Sequence, residues 1–220
     1  MTKREKRERL SEIADRLEEL YPNAECALEY GTDPWKLLVM GRLSAQCTDA
    51  RVNIVSRELF ARFPTASAMA SADITEIERI VKPCGLYRMK AANIKNASIK
   101  LVSEYGGQLP DTMDELLKLD GVGRKIANLL LGDVFGKDAI VCDTHCIRIC
   151  GRLGMYKNGM KDPLKTEKIM SELDEPSEQS DLCHRLVLFG RDVCTARAPK
   201  CDTCPLGKKN LCLNKKPTLA

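Results

Sequence analysis

The chain has 220 residues, of which 44% are hydrophobic and 30% charged, the proportions of a soluble globular protein and enough length for one large domain or two small ones. No apolar run approaches the roughly 18 residues a membrane helix needs, and the start "MTKREKRERL" has no apolar signal-peptide core, so no membrane partner and a cytoplasmic location are expected. The formal net charge of +4 is too small to argue for nucleic acid. Its distribution says more: from Cys183 to Ala220 eight Lys and Arg (Arg185, Arg191, Arg197, Lys200, Lys208, Lys209, Lys215 and Lys216) stand against Asp192 and Asp202, a local +6 beside −2 for the remainder. Such a stretch is either a solvated surface or a face for a polyanion.

The elements read almost wholly helical. "REKRERLSEIADRLEEL" puts Leu10, Ile13, Leu17 and Leu20 on one face and ends at Tyr21-Pro22. "PWKLLVMGRLSAQ" is a second helix, "ARVNIVSRELFARF" a third closed by Pro64, and "DITEIERIVKPCG" a short fourth closed by Pro83. "MKAANIKNASIKLVSEYGG" is a fifth, stopped by a glycine pair. "TMDELLKLD" and "GRKIANLLLGDVF" flank a glycine turn, and "DTHCIRICGRLG", "PLKTEKIMSEL" and "SDLCHRLVLFGRDVC" complete the series. With no sustained period-two alternation, the fold class is all-α.

The turn in "LDGVGRKIANLLL" has the form helix, Gly-x-Gly, helix. Gly121 and Gly123 permit backbone angles closed to other residues and let a ligand come near, and the N–H groups around Val122 and Arg124 with the following helix start form an anion site suited to a DNA phosphate. A bare turn of the chain is the competing reading. Lys125 stands in the first turn of the second helix, where the positive helix end and partial burial disfavour the ammonium and favour the nucleophilic amine; a phosphate-contacting or solvated lysine is the alternative. Eighteen residues on, Asp143 stands just before a helical run, where capping alone would account for it. A carboxylate there also suits stabilising a cationic sugar or moving a proton.

Eleven cysteines in a chain expected in a reducing compartment favour metal or cluster binding over disulfides. Cys194, Cys201, Cys204 and Cys212 are spaced C-x6-C-x2-C-x7-C, and by spacing alone tetrahedral zinc and an iron–sulfur cluster compete evenly. Cys142, Cys146 and Cys150 recur every four residues and with His145 suggest either another metal site or, as the better reading, small buried apolar residues.

Taken in order, "LSAQCTD" (43–49), "GLYRMKAANI" (85–94), "LDGVGRKIAN" (119–128), "CDTHCIRICGR" (142–152) and the cysteine loop resemble the endonuclease III family, DNA repair glycosylase/AP lyases of the helix-hairpin-helix superfamily. The resemblance runs from about residue 10 to Cys212. It implies that Lys125 attacks the anomeric carbon of a damaged nucleoside and holds the sugar as a Schiff base, with β-elimination cutting the strand 3′ to an oxidised pyrimidine. It implies that Asp143 is the catalytic carboxylate, Gln46 fills the gap left by the flipped nucleotide and Leu86 wedges the opposite strand; as residues alone, Gln46 reads equally as a surface amide and Leu86 as core. It implies a [4Fe-4S] cluster on Cys194, Cys201, Cys204 and Cys212, and damaged double-stranded DNA as the partner of a monomeric, nucleoid-associated enzyme.

Three departures stand out: Asp120 where the family often has proline, Ile126 for a common threonine, and a last cysteine gap of seven where five is usual. The implied architecture is two helical lobes with DNA across the cleft between them. One is a six-helix lobe over 28–137; the other combines 1–27 with 138–220 and carries the cluster loop, 194–212. Lys125 and Asp143 are expected to face each other at the cleft. A monofunctional relative would lack Lys125, a non-enzymatic hairpin protein would need neither Lys125 with Asp143 nor Gln46, and one cluster at the edge of a 220-residue helical chain makes a poor case for an electron-transfer protein.

Overall fold

A computed structural model describes residues 1–175, 178–208 and 210–214; Lys209, Lys215 and Lys216 of the basic stretch lie outside the described residues. Among the described residues twelve α-helices are defined: α1 (Lys3–Leu20), α2 (Pro34–Leu43), α3 (Asp49–Arg62), α4 (Ala66–Ser71), α5 (Ile74–Val81), α6 (Tyr87–Glu104), α7 (Met113–Leu116), α8 (Arg124–Asp133), α9 (Thr144–Leu153), α10 (Pro163–Leu173), α11 (Gln179–Asp192) and α12 (Pro205–Lys208). Tight 3-10 turns follow α5 at Lys82–Cys84 and precede α12 at Cys201–Thr203. The described residues hold no strand, as the absence of alternation requires, and no helix long and apolar enough to cross a membrane.

The chain divides into two compact units, Cys26–Phe135 and a second formed by Met1–Glu25 with Gly136–Ala220. In the first, α2 is the central element. Its start is fixed by Asp33, whose carboxylate accepts from the Trp35 N–H at 3.0 Å, and by Pro34 in the first helical position. Seven of its ten residues are buried on almost every side, including Trp35, Leu37, Leu38 and Leu43, where each large apolar side chain contributes about 1.5–3 kcal/mol. It packs against α3, α6 and α8. The close approach to α8 is set by Gly41, where an added Cβ would lie 3.4 Å from Ile126. The indole N–H of Trp35 donates to Ser98 Oγ at 3.0 Å, tying α2 to α6 without an unmet buried donor.

In the second unit α1, α9, α10 and α11 pack together. Leu10, Ile13 and Leu17 of α1 are buried as their spacing requires, while Leu20 at the helix end is only half-buried. Gly190 lets α11 approach α9, since a Cβ there would fall 2.4 Å from His145 Cδ2 and 2.9 Å from Ile149 Cδ1. Cys142, Cys146, Cys150 and Cys183 are buried, with Cys146 against the other three, as expected of small apolar residues. Arg185, counted above in the basic stretch, is instead buried and donates to Glu18 at 2.9 Å. The exposed basic residues of that stretch within the described chain are Arg191, Arg197, Lys200 and Lys208.

Candidate active site

The hairpin is built by α7, shortened to a single turn, and α8. Its two glycines do different work. Gly121 has φ +76°, and a Cβ there would come within 2.7–2.8 Å of Arg42 Nε and Cδ and of Asn93 Cβ. Glycine at this position lets the turn lie on those side chains. Gly123 has an extended backbone (φ −98°, ψ 174°) and open space where its Cβ would be, so it is the residue that leaves the helix start accessible. Gly123 offers no side-chain cap; its carbonyl accepts from the N–H groups of Ile126 and Ala127, both at 3.0 Å, and the Val122 N–H is spent on Leu119. Val122 is buried and anchors the turn, while Arg124 is exposed.

Lys125 occupies the second position of α8 and is exposed. The expected partial burial is therefore absent. Asp120 is exposed in the turn, an acid beside the proposed phosphate site that nothing in the structure explains.

Gln46 and Leu86 stand out by backbone. Among the described residues only three non-glycines have positive φ: Gln46 (+54°), Leu86 (+49°) and Asn210 (+57°). Asparagine tolerates this region; for glutamine and leucine it costs of order 1–3 kcal/mol, a strain that concentrates at ligand-binding positions. Both side chains are exposed, Leu86 at 51%, so neither is core. The end of α2, the start of α6 and the hairpin share one scaffold: Arg42 donates twice to Asn93 Oδ1, at 3.1 and 2.8 Å, and Gly121 sits on that pair.

Asp143 belongs to the other unit, as the N-cap of α9. Its Oδ1 accepts from the Cys146 N–H at 2.7 Å, and its Oδ2 lies 3.1 Å from His145 Nδ1. Capping thus holds one carboxylate oxygen, and His145, for which the sequence suggested no role, holds the other. The same helix grips the cysteine loop. Arg148 donates to the Cys194 carbonyl at 3.0 Å; Arg152 donates to Thr195 O at 2.8 Å and Ala196 O at 3.0 Å and reaches Cys194 Sγ at 3.3 Å.

Cys194, Cys201, Cys204 and Cys212 are all free and partly buried, and they line one cavity with Arg152, Phe189 and Leu206. The long last gap is absorbed by α12 and the left-handed Asn210, with Leu211 N–H returning to Leu206 O at 2.9 Å. Cys212 then donates from its thiol to Arg152 O at 3.7 Å. Burial, and further the charge of the other three sulfurs, pushes the Cys212 thiol above its ordinary value, so four thiolates are tolerable here only around a cationic centre. Among the described residues no three His, Cys, Asp or Glu side chains converge on a single-ion site. The residues fit a cluster: the thiols surround shared space, and the Arg148 and Arg152 guanidiniums offset the −2 expected of four thiolates on a [4Fe-4S]²⁺ core.

Residues 39–176 match the HhH-GPD superfamily base excision DNA repair proteins, and residues 194–207 match the iron-sulfur binding domain of endonuclease III. The endonuclease III of Synechocystis sp. is 44% identical over 202 residues, covering 91% of both chains; that of Bacillus subtilis is 41% identical over 193 residues, covering 87% of each. A solved non-covalent endonuclease III–DNA complex superposes with a TM-score of 0.88 at 37% identity, covering 97% of this chain and 96% of the other. A trapped endonuclease III–DNA covalent intermediate gives the same TM-score and identity and covers 97% of both chains.

The fold and the hairpin define a base excision repair enzyme of the helix-hairpin-helix class. Within that class the chain belongs to the endonuclease III family, as a DNA-binding glycosylase and AP lyase with a [4Fe-4S] cluster. The contest between zinc and iron–sulfur is decided for the cluster. What the sequence left unseen is the support beneath the site: the left-handed backbone at Gln46 and Leu86, the hold of Arg148 and Arg152 on the cysteine loop, and the buried Lys90. Lys90 alone had a signal, a lysine on the face of α6 that also carries Ile94, Ala97 and Leu101, all buried.

Proposed function

We propose that Lys125 is the nucleophile of this enzyme and Asp143 the carboxylate of the same reaction, acting on oxidised pyrimidines in duplex DNA. One observation carries the reading: Lys125 is exposed at the positive start of α8, directly after a hairpin whose Gly123 has open space where a side chain would stand. A phosphate held there places the sugar within reach of an amine. The amine forms a bond to C1′ as the C1′–base bond breaks, and the base departs with a proton. Proton delivery to O4′ then breaks C1′–O4′ as the nitrogen lone pair forms the C1′=N bond, giving the protonated Schiff base. Removal of a C2′ proton then expels the 3′ phosphate, breaking C3′–O3′ and cutting the strand 3′ to the lesion. Asp143 stabilises the cationic sugar and moves protons.

Gln46 and Leu86 enter the duplex as the nucleotide is extruded, offsetting an unstacking cost of a few kcal/mol. Gly121, Val122, Gly123 and Arg124 form the phosphate grip. Cys194, Cys201, Cys204 and Cys212 hold the cluster, whose role is to pin a basic loop against phosphates. Each turnover uses one Lys125 and one nucleotide, so a monomer suffices, working in the cytoplasm on nucleoid DNA.

The test is product analysis on duplex DNA with one oxidised thymine. Release of the free base together with a strand cut 3′ to the site is expected. Base release with an intact strand makes the enzyme monofunctional, and indifference to the oxidised base refutes the substrate class.

A further inference from the structure

Gln46 and Leu86 lie on separate loops, and one buried side chain joins them. Lys90, in the first turn of α6, is 0% exposed. Its Nζ donates to Leu43 O at 2.8 Å, Ala45 O at 2.7 Å and Cys84 O at 2.8 Å. Three ammonium donors thus meet three carbonyls, with none left over. Leu43 ends α2 and Ala45 precedes Gln46; Cys84 ends the 3-10 turn two residues before Leu86. The chain is closed once more by the Lys90 N–H, which donates to Leu86 O at 3.0 Å.

Packing alone does not account for a lysine here. An ammonium taken out of water and bonded only to neutral carbonyls is costly, and a methionine would fill the same space without that cost. Burial accordingly lowers the pKa of Lys90. What the ammonium supplies and a hydrocarbon does not is a fixed distance between two loop backbones, each of which turns into the left-handed region one or two residues further on.

We propose that Lys90 is a positioning residue for base extrusion, its ammonium holding the Gln46 and Leu86 loops in one register so that both side chains meet the duplex already in their strained geometry. The inference rests on the insertion roles given to Gln46 and Leu86 above. A role in stability alone would reduce all activities in step with the folded fraction. A positioning role separates substrates that need extrusion from those that do not.

The experiment compares Lys90→Met with wild type on two DNAs: a duplex carrying oxidised thymine, and a single-stranded oligonucleotide with an abasic site, which has no stack to open. Single-turnover base excision is measured on the first, with 2-aminopurine fluorescence beside the lesion reporting unstacking, and borohydride trapping on the second. Excision and the fluorescence rise are expected to fall roughly tenfold to a hundredfold, while trapping per folded molecule stays within about twofold of wild type. Lys90→Arg, which keeps the charge and several donors, restores part of the excision rate. In a Gln46→Ala/Leu86→Ala background, Lys90→Met adds less than about twofold.

Equal losses on both DNAs, no loss on the duplex, or full additivity with the double variant overturns the proposal. If the double variant excises at the wild-type rate, the insertion reading itself fails, a result independent of Lys90. Should Lys90→Met not fold, Lys90→Gln takes its place; failure of both to fold makes Lys90 a folding determinant and overturns the proposal.

Discussion

Replacing Asp143 by asparagine separates the two jobs its position allows. Its Oδ1 caps α9 through the Cys146 N–H at 2.7 Å, and Oδ2 lies beside His145. Asparagine is as good a cap as aspartate, so the bond to Cys146 survives; what is lost is charge at a helix start, about 0.3–1 kcal/mol. For a chain of this size a loss of about 1 kcal/mol lowers the Tm by roughly 2–4 °C. Asp143→Ala, which removes the cap as well, costs a further 0.5–2 kcal/mol, roughly. Catalysis responds to the charge: Asp143→Asn is expected to slow single-turnover base excision by about 10²–10⁴, equivalent to ~3–5 kcal/mol of barrier. Thermal melts by circular dichroism and excision rates on the same preparations give both quantities. An Asp143→Asn enzyme with a near wild-type rate and melting temperature would leave Asp143 as a cap only and refute the reasoning.

The two glycines of the hairpin give opposite expectations. Gly121→Ala brings left-handed strain of about 1 kcal/mol and overpacking against Arg42 and Asn93 of about 1–3 kcal/mol, visible in the urea midpoint. Gly123→Ala meets open space at an ordinary φ, so it leaves stability nearly unchanged and weakens DNA binding; the reverse pattern contradicts the assignment. Asp174, buried with Oδ2 unpartnered among the described residues, has its pKa pushed up to about 7 from 3.8, by desolvation first and the Glu178 charge second. The folded state therefore keeps a proton that the unfolded chain has released, and stability falls as pH rises across that window. Asp174→Asn removes the fall and stabilises the protein at pH ~8 by roughly 2–4 kcal/mol; a variant with the wild-type pH profile would exclude this. For the cluster, Cys201→Ser and Cys212→Ser are each expected to abolish the cluster absorbance at roughly 400 nm, and full absorbance in Cys212→Ser would remove that residue from the ligand set.

Helix content was legible because apolar spacing and caps agree along most of the chain, as at Leu10, Ile13 and Leu17 or at Asp33-Pro34. The six-residue α4 escaped notice, since Ala66–Ser71 holds only Ala66 and Met69 on a buried side and is set by Thr65, whose hydroxyl accepts from Ala68 N–H at 3.1 Å. The chemistry-bearing residues were legible as an ordered set of motifs. Their environment was not: the sequence suggested partial burial for Lys125, which is exposed, and gave no sign that the Gly121 turn lies on Arg42 and Asn93. Left-handed backbone at a glutamine and a leucine has no sequence signature, because these residue types disfavour it and only tertiary contacts impose it. The hold of Arg148 and Arg152 on the cysteine loop depends on contacts more than forty residues away along the chain, beyond the reach of local spacing.

The central claim is that Lys125 carries the reaction as an amine. The protein incubated with duplex DNA containing an abasic site, then reduced with borohydride, is predicted to yield a covalent protein–DNA complex that Lys125→Ala abolishes while the variant remains folded. Cleavage of abasic DNA by the wild type without a trappable complex, or a complex that persists in Lys125→Ala, would contradict it.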